Sequence, residues 1–147
     1  GLEDQPLRTS LCAADRHSNA FLHLDYHPLN VMVDGNKITG ILDWRNALAG
    51  DPRADAARTV ALVHVDVFGQ KKVLETIVRR IFEAGWRAGY KRQGGLLTEM
   101  SLFYAWAGAV MERDLAHKVS PEGRVHIHRW TTHWQKRAER EMAKSRF

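Results

Sequence analysis

Residues 22–44 read Leu22-His23-Leu24-Asp25-Tyr26-His27-Pro28-Leu29-Asn30-Val31-Met32-Val33-Asp34-Gly35-Asn36-Lys37-Ile38-Thr39-Gly40-Ile41-Leu42-Asp43-Trp44. Two short β-like runs, Val31 to Val33 and Lys37 to Leu42, flank Asp34-Gly35-Asn36, whose residues tolerate the positive φ that a tight turn requires. The reading is a β-hairpin. Asn30 enters it and Asp43 leaves it, so both side chains belong to its open end, about 5 Å apart as residues on neighbouring strands are. Shortly beyond comes Gly50-Asp51-Pro52-Arg53-Ala54-Asp55. An Asp directly before a Pro is the arrangement of an N-cap followed by a first-turn proline, and it predicts a helix from Pro52 to about Val67.

The polar residues of this stretch suit phosphoryl transfer. That chemistry needs a carboxylate to orient the attacking hydroxyl and accept its proton, and oxygen ligands for Mg²⁺ that offset the charge on the phosphates. Asp25 fits the first task, Asn30 and Asp43 the second, since one ion with oxygens at about 2.0–2.1 Å can touch both side chains. The order His23-x-Asp25-x-x-x-x-Asn30, then a hairpin and Asp43, resembles the catalytic loop and metal-binding Asp shared by protein kinases and their small-molecule relatives. With Ile41-Leu42-Asp43-Trp44 and Gly50 to Asp55 in place of an Arg-containing loop and Asp-Phe-Gly, it is similar to the aminoglycoside phosphotransferase family. The match runs from Leu22 to about Ala57, about a quarter of the chain.

That resemblance implies an ATP- and Mg²⁺-dependent transferase acting on a small-molecule hydroxyl. It makes Asp25 the catalytic base, Asn30 and Asp43 the magnesium ligands that accompany ATP, and His23 a brace that holds the loop by hydrogen bonding. Asp51 and Asp55 become structural, capping the following helix and tying it to the catalytic loop. Two positions depart from the family pattern. The residue after His23, often Gly, is Leu24, expected to sit in a strand-like lead-in. The residue after Asp43-Trp44, often acidic, is Arg45, which places a cation beside the expected metal site.

Outward from the motif, apolar periodicity predicts three more helices. One starts at Lys71, carries Val73, Leu74, Ile77, Ile81, Phe82 and Trp86, and ends near Gly89. Another follows Thr98 with Leu102, Phe103, Trp106, Val110 and Met111, stopping by Ser120-Pro121. The last begins at Pro121, with Val125, Ile127, Trp130 and Trp134, and grades into a charged tail from Lys136 to Lys144. The first twenty residues show no sustained period and read as a loop or a short irregular helix leading into Ala20 to Leu24. The expected fold is α+β, predominantly α-helical: the C-terminal lobe of the protein-kinase-like fold, with a catalytic-loop hairpin on a bundle of about four helices. At 147 residues and 44% hydrophobic content, residues 1–147 suffice for a single domain.

The net charge of +5 is unevenly spread. Gly1 to Asp55 holds 5 Lys and Arg against 8 Asp and Glu, whereas Ala56 onward holds 17 against 9. The acidic part is the motif part, as a metal or proton-transfer site requires, and the basic excess reads as solvated helix faces. Nucleic-acid binding is disfavoured because no base-reading motif accompanies the charge. No apolar run approaches the ~20 residues of a membrane span, and the single Cys12 has no disulfide or zinc partner, so a cytoplasmic protein is expected.

An alternating His23, Asp25 and His27 on a strand offers a rival, zinc-binding reading. It leaves Pro28, Asn30 and Asp43 unexplained, and a second cluster, His126, His128 and His133, has spacings that do not share one helix face. The kinase reading carries its own gap. Only 24 residues precede Asp25, with no Gly-x-Gly-x-x-Gly and no Lys before Lys37, so the nucleotide-binding N-terminal lobe is expected to be absent and the chain to be a fragment with little turnover alone. The alternative is a non-catalytic kinase-like binding or dimerisation module, and apolar surface uncovered around the hairpin makes a homodimer an expected partner. The basic helices favour a neutral or anionic hydroxyl substrate over a polycationic aminoglycoside.

Overall fold

The computed structural model describes residues 20–65, 73–95, 97–115 and 117–144. Cys12 and the expected irregular lead lie outside them, as do the expected helix end at Val67 and helix start at Lys71. The described residues are mostly helical, with four short strands: β1 (Ala20–Leu22), β2 (Val31–Asp34), β3 (Lys37–Ile41) and β4 (Leu48–Gly50), then α1 (Pro52–His64), α2 (Val73–Arg92), α3 (Met100–Leu115) and α4 (Pro121–Lys144). The α+β class with four helices is the one read from the sequence.

β2 and β3 form the antiparallel hairpin, with Asp34 paired to Lys37 and the turn passing through Gly35 at φ 56°. A bulge falls between Met32 and Val33, where the partners step from Gly40 to Ile38. Sequence reading missed a second ladder. β1 pairs antiparallel with β4, Ala20 opposite Gly50 and Leu22 opposite Leu48, in a separate two-stranded sheet. That ladder brings the two ends of the motif segment together and hands the chain directly to α1.

Helix α1 starts as expected. Asp51 caps it by accepting from Arg53 N at 2.9 Å, and Pro52 occupies its first position. It ends at His64, because Val65 turns extended at φ −79°, ψ 124°. α1 is buried on most of its circumference, and its contact row is small: Ala56, Ala57, Val60 and Ala61. Small side chains let it approach α3, where Phe103, Tyr104, Ala107 and Met111 close the core, with Ile127 of α4 behind them. Each fully buried large side chain here contributes about 1.5–3 kcal/mol. α4 lies across α3 at Gly108, where an added Cβ would meet Trp130 Cδ1 at 2.9 Å and the Thr131 hydroxyl. The crossing is closed by Trp130 Nε1, which donates to Tyr104 O at 3.0 Å.

Two helices run longer than their sequence signals suggested. α2 continues through Gly89 to Arg92, and the charged tail is helical to Lys144, where Arg137 and Glu141 pair across one turn at 2.9 Å and Ala138 is buried.

Candidate active site

The motif residues converge on one loop between β1 and β2. Its first turn is set from a distance: Asp55, on the first turn of α1, accepts from Leu24 N at 2.6 Å with one carboxylate oxygen and from His23 N at 3.2 Å with the other. Arg58, one helical turn further along, donates from Nε to Leu24 O at 3.2 Å. Clamped on both sides, Leu24 adopts φ 61°. The strand-like lead-in expected at Leu24 is therefore replaced by a left-handed turn, since β1 already ends at Leu22. A left-handed residue explains why glycine suits this position. Leu24 accepts the strain of about 1–2 kcal/mol because its side chain is buried and its backbone is held.

His23 is buried and uses both ring nitrogens internally. Nδ1 accepts from Asp25 N at 3.2 Å, which leaves Nε2 as the donor to Leu42 O at 2.8 Å. The imidazole thus links the loop between β1 and β2 to the exit of the hairpin, with Trp44 packed edge-on against it at 4.5 Å. A ring spent this way has no nitrogen for zinc, and the three residues of the rival cluster do not alternate on a strand. Among the described residues no group of three or more His, Cys, Asp or Glu gathers as a metal cluster.

Past the turn, the Asp25 carboxylate is partly exposed, and no hydrogen bond to it is present among the described residues; His27 Nε2 stands 4.0 Å away. Pro28–Asn30 forms a 3₁₀ turn that delivers Asn30 to the start of β2. Asn30 Nδ2 donates to Asp25 O at 2.9 Å and contacts His27 Nε2 at 3.2 Å, so the contacts within the loop use the amide nitrogen and leave the amide oxygen without a hydrogen bond among the described residues. Across the hairpin Leu42 N donates to Asn30 O at 2.8 Å, which puts Asp43 next to Asn30 at the open end.

Asp43 is itself left-handed, at φ 58°, ψ 63°, and heads the 3₁₀ turn Trp44–Asn46. That turn folds Arg45 back onto it: Nε lies 2.7 Å from Oδ1 and Nη2 2.9 Å from Oδ2. The guanidinium holds the Asp43 carboxyl below the usual carboxylate range. Asn30 and Asp43 supply the hard oxygen donors that Mg²⁺ takes, on adjoining segments, so the donor chemistry and placement fit the ion. Both oxygens of Asp43, however, are engaged by Arg45.

Asp51 sits apart from this chemistry, in a buried ion pair. Its Oδ2 lies 2.6 Å from Arg53 Nη2, both side chains are 3% exposed, and Arg53 reaches on to Glu99 at 3.1 Å and stacks over Phe103 at 4.5 Å. Sequence reading did not single out Arg53 or Arg58. Their spacing from Asp55 on a helix following a cap was the available signal, but nothing in it marks which Arg turns inward.

A cavity of about 390 Å³ lies elsewhere, at the end of α1 against α4, with His64, His126, Arg129, Trp130, His133 and Trp134 in its wall. None of the six expected site residues lines it. His126 and His133 share that face, whereas His128 turns the other way to pair with Glu112 at 3.2 Å.

Comparison with known proteins agrees with the motif. A sequence model of the phosphotransferase enzyme family matches residues 4–107. Over 87 residues the chain is 30% identical to the uncharacterized protein YcbJ of Bacillus subtilis (strain 168), an alignment that takes in 58% of this chain and 26% of that relative. The chain therefore spans about a quarter of the curated relative it matches. No solved structure matches it. The family model covers well over half of the residues and takes in the whole loop, hairpin and α1 assembly described above: the chain belongs to the phosphotransferase enzyme family.

Proposed function

We propose that the chain is the C-terminal, catalytic lobe of a kinase-like phosphotransferase that moves the γ-phosphoryl group of ATP to a hydroxyl of a small molecule. The observation that carries this reading is the loop itself. Asp55, His23 and Arg58 fix its backbone, and the Asp25 carboxylate is left partly exposed without a hydrogen bond among the described residues. A carboxylate so held can accept a proton from an incoming hydroxyl. The hydroxyl oxygen bonds to the γ-phosphorus, the bond to the bridging oxygen of ADP breaks, and Asp25 takes the proton. Asn30 and Asp43 are the residues that would hold Mg²⁺, which when bound neutralises charge on the phosphates. His23, Asp51 and Asp55 have supporting roles in this reading.

The basic excess after Asp55 favours a neutral or anionic hydroxyl compound as substrate. The expected upstream nucleotide lobe has a face to cover. Phe21, Leu29, Met32, Val33, Ile38 and Leu48 are all about half exposed or more around the two sheets. The same apolar face supports a second reading, a non-catalytic kinase-like module that binds a partner or pairs with a second copy there.

Calorimetry with Mg·ATP on this chain joined to an upstream nucleotide-binding lobe, followed by phosphate-transfer assays against small hydroxyl compounds, separates the two. The kinase reading expects Mg²⁺-dependent ATP binding and turnover that Asp25→Asn lowers about 10²–10⁴-fold with folding intact. Turnover indifferent to Asp25→Asn, or no nucleotide binding, refutes it and leaves the module.

A further inference from the structure

We propose that Arg45 is a built-in competitor for the divalent cation, holding the Asp43 carboxylate until a metal displaces it. This rests on the reading of Asp43 as a metal ligand given above. The geometry that supports it is a complete fork: both carboxylate oxygens are taken, at 2.7 and 2.9 Å, by two nitrogens of one guanidinium. Such parallel pairing is the arrangement in which Arg binds a carboxylate most tightly, and it leaves no oxygen of Asp43 unengaged.

The backbone prepares this pairing. Asp43 is fixed in the left-handed region, and the following turn is closed by Ala47 N donating to Trp44 O at 3.0 Å. Trp44 anchors the turn by donating to Ile41 O at 2.8 Å and by stacking on Phe21 at 5.4 Å. The anchored turn thereby brings the Arg45 backbone back beside Asp43. Its side chain, in contrast, is 86% exposed, and Asp43 is its one hydrogen-bonding partner among the described residues. It can swing into solvent once released.

The two expected ligands therefore differ in readiness. Asn30 is preset, with its amide nitrogen tied to Asp25 O and its oxygen without a hydrogen bond among the described residues. Asp43 is already paired with Arg45 through both carboxylate oxygens. A cation entering here meets one ligand that is waiting and one it must win, and it also meets the repulsion of Arg45 at close range until that side chain moves.

Mn²⁺ serves as the probe, titrated by electron paramagnetic resonance into the 147-residue chain, so that no catalytic turnover enters the measurement. Arg45→Ala should bind Mn²⁺ roughly three- to tenfold more tightly than the parent chain, the range expected from removing an exposed ion pair and a nearby like charge. Arg45→Lys should fall between them, since it keeps the charge and loses the fork. Asp43→Asn should bind most weakly, and circular dichroism should be unchanged in all, as both side chains lie outside the core. If Asp43→Asn abolishes binding while Arg45→Ala binds no better than the parent, Arg45 does not compete and the metal-ligand reading of Asp43 survives. If neither the parent nor Arg45→Ala shows binding that Asp43→Asn removes, the metal-ligand reading fails and the competition falls with it.

Discussion

Replacing Asp55 by Asn tests whether the loop between β1 and β2 is held from α1. The wild-type carboxylate accepts from two successive backbone N–H groups, Leu24 at 2.6 Å and His23 at 3.2 Å. Hydrogen bonds to a charged acceptor contribute about 1.5–3 kcal/mol each. Two would give about 3–6 kcal/mol, and we reduce this to about 2–4 kcal/mol because Asp55 is only partly buried and water can replace part of the loss. An amide of the same shape has one acceptor oxygen; its NH₂ must face the other N–H, donor against donor. Asn therefore loses at least one bond and creates a donor–donor repulsion at one of the two amides, His23 or Leu24. Against a total stability of about 5–15 kcal/mol the change is large. Urea denaturation followed by tryptophan fluorescence should show a midpoint lowered accordingly with an unchanged slope. Amide hydrogen exchange should show His23 and Leu24 losing protection ahead of the α3 core. An unfolding free energy within about 0.5 kcal/mol of the parent, or undiminished protection at both amides, would refute the clamp.

Two further perturbations follow from the charged contacts. Asp51→Ala removes a helix cap and leaves Arg53, 3% exposed, without its closest counter-charge; the expected cost is about 3–5 kcal/mol in the same denaturation assay, and a cost near that of a cap alone, about 1 kcal/mol, would mean that Glu99 suffices as partner. Glu83 is held below the ordinary glutamate range, first by its hydrogen bond with His64 and then by Arg87 at 2.8 Å. A depressed carboxyl stabilises the fold fully above its unfolded-state value, and that contribution disappears as pH falls through the lower, folded-state value. Stability should therefore decline on acidification below about pH 4.5, and Glu83→Gln should flatten that decline; an unaltered acid limb in the variant would show that Glu83 is not linked to folding.

What the sequence made legible, and what it hid, divides by the range of the interactions involved. The hairpin, the Asp51 cap and the four helices rest on contacts within a few residues: a turn through Gly35, a side chain accepting from two residues on, apolar residues recurring with the helical period. The ladder between β1 and β4 does not. Leu48-Ala49-Gly50 is too short to carry an alternation, and it becomes a strand only because Ala20–Leu22 is brought beside it. Leu24 is the sharper case. Taken locally, a leucine between His23 and Asp25 reads as extended, and the family preference for glycine there looks dispensable. In the folded chain its φ of 61° is imposed by Asp55, 31 residues away, and by Arg58, 34 residues away.

Arg45 presents the converse. Its separation of two from Asp43 was visible, but along a strand a pair at that spacing would simply lie on one face. Only the left-handed turn at Asp43 converts proximity into a fork on both carboxylate oxygens. Both left-handed residues of the motif thus stand next to or at an expected functional carboxylate, Leu24 before Asp25 and Asp43 itself. Strain of this kind persists where surrounding contacts over-determine the backbone. Here the contacts are named: Asp55 and Arg58 for one, Trp44 against Phe21 and His23 for the other. His23 joins the two, accepting from Asp25 N and donating to Leu42 O, so one imidazole is hydrogen-bonded beside both strained turns.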